Sequence, residues 1–136
     1  MALPPNLATN DIISEAWVDA VVDSLTALQV TPWTPVTFSN GWVNEGGTLQ
    51  VVQYRREGDR VFVRGSSVAP ATPTNPPFTL PAGFRPPSLI RIPMVGLGAG
   101  AAKVLRGDLS TAGVLIVNDA AAGWTVFNEF SFSTVA

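Results

Sequence analysis

The side chains able to do chemistry in this 136-residue chain are carboxylates, arginines, tryptophans and amides, because histidine and cysteine are both absent. That removes Ser/His triads, Cys/His pairs, thiolate metal sites and disulfides together. Carboxylates remain for general acid–base work. A glycosidase needs two of them facing each other across about 5–10 Å. Glu57 and Asp59 are close in sequence, but Gly58 lies between them and makes the trio a turn. Asp108, Asp119 and Glu129 fall in separate segments with no acidic motif around them. The sequence therefore predicts a non-enzymatic protein with no catalytic residue, no metal and no cofactor. A polysaccharide depolymerase is the least expected reading, since no acidic motif supports it.

Binding chemistry is better represented. Trp33, Trp42 and Trp124 offer aromatic faces that fit the CH face of a pyranose. In a small β-domain such rings also serve as core. Trp42 lies between Asn40 and Asn44, and amides beside an aromatic ring suit sugar hydroxyls, so Asn40, Trp42 and Asn44 are the expected glycan-binding residues. Arg55, Arg56, Arg60, Arg64 and Arg85 form the main basic group. They solvate a hairpin, pair with acids of a neighbouring chain, or meet an anionic cell-wall polymer; their spacing leaves the three open. Gly96-Leu97-Gly98-Ala99-Gly100 lacks the Lys-Ser/Thr of a nucleotide loop and reads as a flexible β connection. Arg106-Gly107-Asp108 spells an adhesion tripeptide, but so short a match arises by chance.

Composition narrows the partners. Charged residues make up 13% and the net charge is −2, so no basic face exists to neutralise many phosphates, and nucleic acid is not an expected partner. About 25% charge is usual for a solvated domain. The deficit, with 46% apolar residues and four tryptophans, predicts apolar surface covered by partner chains. No apolar run reaches the ~20 residues that span a bilayer, and no signal peptide is visible, so membrane insertion is not expected.

The elements that must position these residues fall into two parts. Residues 1–30 are an extended arm, with Pro4 and Pro5, and one helix over 10–29 capped by Asn10 or Asp11. Val18, Val21, Leu25 and Leu28 recur at helical spacing, with Ile13 and Trp17 on a line beside them; these six are the expected attachment or trimerisation face. Residues 31–136 read as all β, with many short strands between Gly/Pro turns, which predicts a sandwich or barrel. The clearest pair is a hairpin. Gln50–Arg55 lead into Glu57-Gly58-Asp59, and Arg60–Arg64 lead out with Val61 and Val63 on one face.

This hairpin, followed by the proline corner Phe78–Pro87, resembles the head domain of bacteriophage tail-fibre and minor tail proteins. The matching positions are Tyr54, Arg55, Gly58, Val61, Arg64 and Gly65, then Thr79, Leu80, Pro81, Gly83, Arg85 and Pro86. Trp33-Thr34, Asn40–Asn44, Lys103–Val117 and Trp124–Phe132 are similar to other segments of that family, in order. Two departures, the proline-rich Ala69–Pro77 and the Gly/Ala-rich Leu97–Ala102, are expected to alter loops and leave the fold unchanged.

The resemblance implies a jelly-roll-like antiparallel β-sandwich head behind a short N-terminal helix, assembled as a homotrimer in a phage virion. It implies a projecting head that binds host cell-wall glycan at a tail fibre or tail tip, with other tail proteins as partners. The short segment before the head suggests an alternative, a trimeric decoration protein or head fibre docked on the major capsid protein.

Overall fold

A computed structural model describes residues 14–27 and 29–136. The N-terminal element is α1 (Glu15–Ala27). Ser14 sits at its N-cap, where its side-chain oxygen accepts from the Trp17 N–H at 3.3 Å. The other cap candidates, Asn10 and Asp11, and the seam residues Ile13 and Leu28 lie outside the described residues. Among the described residues α1 packs against no strand. Val18 and Leu25 are exposed and Trp17 and Val21 are half-buried.

Eight strands follow: β1 (Thr34–Pro35), β2 (Val43–Asn44), β3 (Gln53–Glu57), β4 (Arg60–Ala69), β5 (Ile90–Gly98), β6 (Ala101–Leu109), β7 (Leu115–Asn118) and β8 (Gly123–Ser133). They form one antiparallel sheet in the order β1-β3-β4-β8-β5-β6-β7, with β2 also on β4. The sheet curls round a single core of Trp42, Val52, Val61, Val63, Phe78, Leu80, Met94, Leu105, Leu115 and Phe127, among others. The expected mainly β, sandwich-type head is what forms. Its curl is closed by irregular chain. Leu80 N donates to Gly113 O, and Thr79 bridges Val114, on the open side of β7. Phe38 bridges Phe78 in turn, and Val36 N donates to Val52 O just before β3.

The hairpin forms as expected. Glu57 pairs with Arg60 across Gly58-Asp59, and Gly58 has φ 55°, as the first central residue of a type II′ turn requires. The proline corner is less exposed than its sequence suggests. Phe78, Leu80 and Pro86 are buried, and the corner is tied to the hairpin. Arg56 Nη1 donates to Gly83 O at 2.9 Å, and Tyr54 meets Phe84 edge-on at 4.9 Å. Hairpin and corner therefore act as one structural unit, which gives their joint appearance in the sequence a physical cause.

Two expectations are corrected. The Gly/Ala-rich run is no flexible connection. It completes β5, makes a tight turn at Ala99-Gly100 with φ of 51° and 83°, and opens β6. Leu49–Val52 belongs to no strand. It crosses β4 where that strand changes partner, with Ser66 N donating to Gln50 O. The proline-rich segment docks on the core: Asn75 exchanges two hydrogen bonds with the Val117 backbone, at 2.8 and 3.1 Å.

Candidate functional site

The expected glycan-binding trio is in place but closed. Trp42 is only 2% exposed, and its indole N–H donates to Thr74 O at 2.7 Å. Asn40 Nδ2 donates to Pro76 O, and Asn44 Oδ1 accepts from Val52 N, each at 2.8 Å. The ring is core and the amides hold loops, so this segment presents no open aromatic platform. The adhesion tripeptide lies inside β6, where Asp108 pairs with Arg91 and Arg106.

An open groove lies elsewhere, on the outer face of β4 and β8. Glu45, Leu49 and Gln50 form one wall, Trp124, Val126 and Glu129 the other, with Arg64, Gly65, Ser66 and Phe127 between them. Its volume is ≈ 570 Å³. Two irregularities shape it. The β3 pairing of β4 ends at Arg64 and the β2 pairing begins at Ser67. Opposite, β8 carries an extra residue: Val63 pairs with Phe130 but Gly65 pairs with Phe127. The bulge resets the alternation, so Phe127 and Thr125 turn inward while Trp124 and Val126 face out. Bulges commonly re-aim side chains beside functional sites.

Gly65 is required where the partner changes. Its φ is 123°, and a Cβ there would lie 2.4 Å from Val51 O and 2.5 Å from Val52 Cα. Only glycine lets the crossing chain approach so closely.

Arg64 is the fixed point of the groove. Its guanidinium lies 3.8 Å from the centre of the Trp33 ring, and Arg55 approaches the same ring at 4.7 Å. Gln53 is 8% exposed and ringed by donors; its amide is therefore assigned with the oxygen toward them, accepting from Arg64 Nε at 3.0 Å, Arg64 Nη2 at 2.8 Å and Gln50 Nε2 at 3.0 Å. Arg55 is taken up by Glu57. Stacking and hydrogen bonding together hold Arg64 in one pose, so little side-chain entropy is lost when it meets a ligand. On the groove wall Glu45 receives the Ser66 hydroxyl.

Sequence reasoning brought forward Trp33, Trp124 and Arg64, but not their joint location. It missed Glu45, Gln50 and Gln53, and weighed Glu129 only as a catalytic carboxylate. The usable signal was Gly65, which breaks the strict alternation of β4 and marks a close approach of another chain. Among the described residues, no cluster of three or more acidic side chains suits a metal, and no helix is long and apolar enough to cross a membrane.

No family model and no curated protein matches the sequence. Solved structures do match the fold, which is similar to those of two bacteriophage receptor-binding proteins. The head domain of lactococcal phage bIL170, a receptor-binding domain, superposes with a TM-score of 0.57 at 22% identity, covering 76% of this chain and 98% of that one. The receptor-binding protein gp15 of Listeria phage PSA gives 0.61 at 19% identity, covering 90% of this chain and 75% of that one.

Proposed function

We propose that this chain is a virion-borne receptor-binding head that attaches without catalysis to saccharide on the host surface, through the groove between β4, β8 and the Glu45–Gln50 loop. The observation that carries the reading is Arg64, held over the Trp33 ring and fixed by a buried amide at an open groove. Beside it stand the exposed-side aromatic and apolar groups Trp124 and Val126. An immobilised guanidinium, carboxylates, an amide and an indole together are the functional groups that hydroxyl-rich rings need. Residues 31–136 are the head on this reading. Residues 1–30 fasten it to the particle and help to join three copies.

The apolar residues that α1 leaves exposed fit a stem docked on another virion protein, at the tail tip or on the capsid lattice. Copy number per particle separates the two: a few trimers at the tail, or hundreds on the capsid. Attachment of the assembled protein to host cells tests the main reading. Arg64→Ala and Trp124→Ala should each abolish most of it while melting stays close to wild type. Unchanged attachment by both variants would reject the groove. Val21→Asp with Leu25→Asp places charge on the apolar line of α1. Incorporation into particles should fall sharply, with head melting unchanged; normal incorporation would remove α1 from the attachment role.

A further inference from the structure

We infer that the groove selects saccharide units that offer hydrogen-bond donors and carry no negative charge, and discriminates against phosphate- or carboxylate-bearing polymers. This rests on the saccharide reading above and specifies its ligand class.

The charge balance of the lining is the first ground. Glu45 and Glu129 face one cation, Arg64. Among the described residues none of the three takes part in an ion pair within 4.0 Å. An anionic ligand therefore meets two carboxylates for each guanidinium.

Unmet hydrogen-bonding capacity is the second. Arg64 gives its Nε N–H and one Nη2 N–H to Gln53, which leaves three N–H groups for a ligand. One Glu45 oxygen takes the Ser66 hydroxyl. Its other oxygen and both oxygens of Glu129 have no bonded partner among the described residues. Ionised carboxylates only accept. The groove thus presents three carboxylate oxygens in want of donors beside the free N–H groups of Arg64; hydroxyls and amines supply such donors and a phosphodiester lacks them. Trp124 and Val126 add apolar area for a ring's CH face.

No other arginine on the β5–β6 side offers an anion site instead. Arg91 and Arg106 flank a smaller groove of ≈ 310 Å³, but Asp108 pairs with both, at 3.4 and 3.2 Å, and Asp119 joins that lining.

The test is titration of the intact protein, followed by tryptophan fluorescence and calorimetry. The probes are neutral oligosaccharides, glucosamine-containing oligosaccharides and glycerol-phosphate oligomers. A neutral or amino-bearing probe should bind roughly tenfold or more tighter than any phosphate probe. Binding of the neutral probes should change little as salt rises from about 0.05 to 0.5 M. Glu129→Gln, at an exposed position, should weaken the sugar and narrow the gap to phosphate several-fold, with melting unchanged. Glu45→Gln provides a second, independent carboxylate. Tighter binding of glycerol phosphate, falling with salt and lost in Arg64→Ala, overturns the selectivity and leaves saccharide-polymer recognition standing. Binding of neither class overturns both. Neutral-sugar binding that survives Glu129→Gln, Glu45→Gln and Arg64→Ala alike places the ligand elsewhere and overturns the inference.

Discussion

The two long hairpins of this sheet, β3–β4 and β5–β6, do the same work inside and opposite work outside. Inward, Val61 and Val63 of the first and Met94 and Leu105 of the second are all within 2% of full burial. Outward, β3–β4 pairs Gln53 with Arg64 and Arg55 with Phe62, and roofs them with Trp33. β5–β6 pairs Pro93 with Arg106, Val95 with Val104 and Leu97 with Ala102. Inner faces are bound by one shared core and admit only fitting apolar shapes. Outer faces answer to whatever the sheet meets, and here they differ: one stacks its arginines on an aromatic ring, the other runs from the Arg91–Asp108–Arg106 ion pairs at one end to an apolar end at Val95, Leu97 and Val104, the last 70% exposed. The lesson is that an arginine held on an aromatic ring is a property of one hairpin and its crossing loop, while the other hairpin spends its arginines on Asp108.

The hardest break in that contrast is Gly65→Val. It puts a β-branched residue at positive φ and a Cβ against backbone, so the loss should reach about 4 kcal/mol or more. A thermal or urea melt should fail to show a stable native baseline, or shift by more than about 10 °C. The matching change in the other hairpin is Gly98→Ala, whose new Cβ has as its nearest atoms the far end of Lys103, a flexible side chain. Its cost should stay below about 1 kcal/mol. Equal losses from the two would mean that the crossing chain is not what demands Gly65.

Trp33→Ala comes next. It removes the ring beneath two guanidiniums and should cost about 1–3 kcal/mol in melting experiments while releasing Arg64. Arg64→Ala should cost less stability, under about 1 kcal/mol, yet remove saccharide binding. A Trp33→Ala protein with full affinity would show that Arg64 needs no stacking to work. The smallest effect on folding belongs to Val104→Asp, within about 0.5 kcal/mol for the isolated chain. If copies meet through the apolar end of this hairpin, light scattering should show a lower mass for this variant. An unchanged mass would assign that face to solvent.

The fold was legible because its signals are local. Val61 and Val63 alternate with Phe62 and Arg64 around Glu57-Gly58-Asp59, and such a pattern fixes a hairpin without knowledge of the rest. The site was legible only in pieces. Trp33 and Arg64 lie far apart in sequence, and their stacking depends on β1 running beside β3. Trp42 misled for a related reason: amides flanking an aromatic ring look alike whether they serve a ligand or, as at Asn40 and Asn44, bind the chain's own loops. The phase of β8 was out of reach. One bulge near Glu129 decides whether Phe127 or Val126 faces the core, and nothing in WTVFNEFSF marks it.

The irregular chain that closes the curl has a consequence for crowding. An open strand edge is a row of unpaired amides that can template pairing with another molecule. Here β7 is matched by Phe78–Leu80, and the outer side of β3 by Val30, Thr31 and β1. Most of both ladders is already occupied from within. Edge-to-edge zipping of crowded copies is thereby kept off these two ladders and left to stretches such as Ala101–Leu105 of β6, which β7 does not reach.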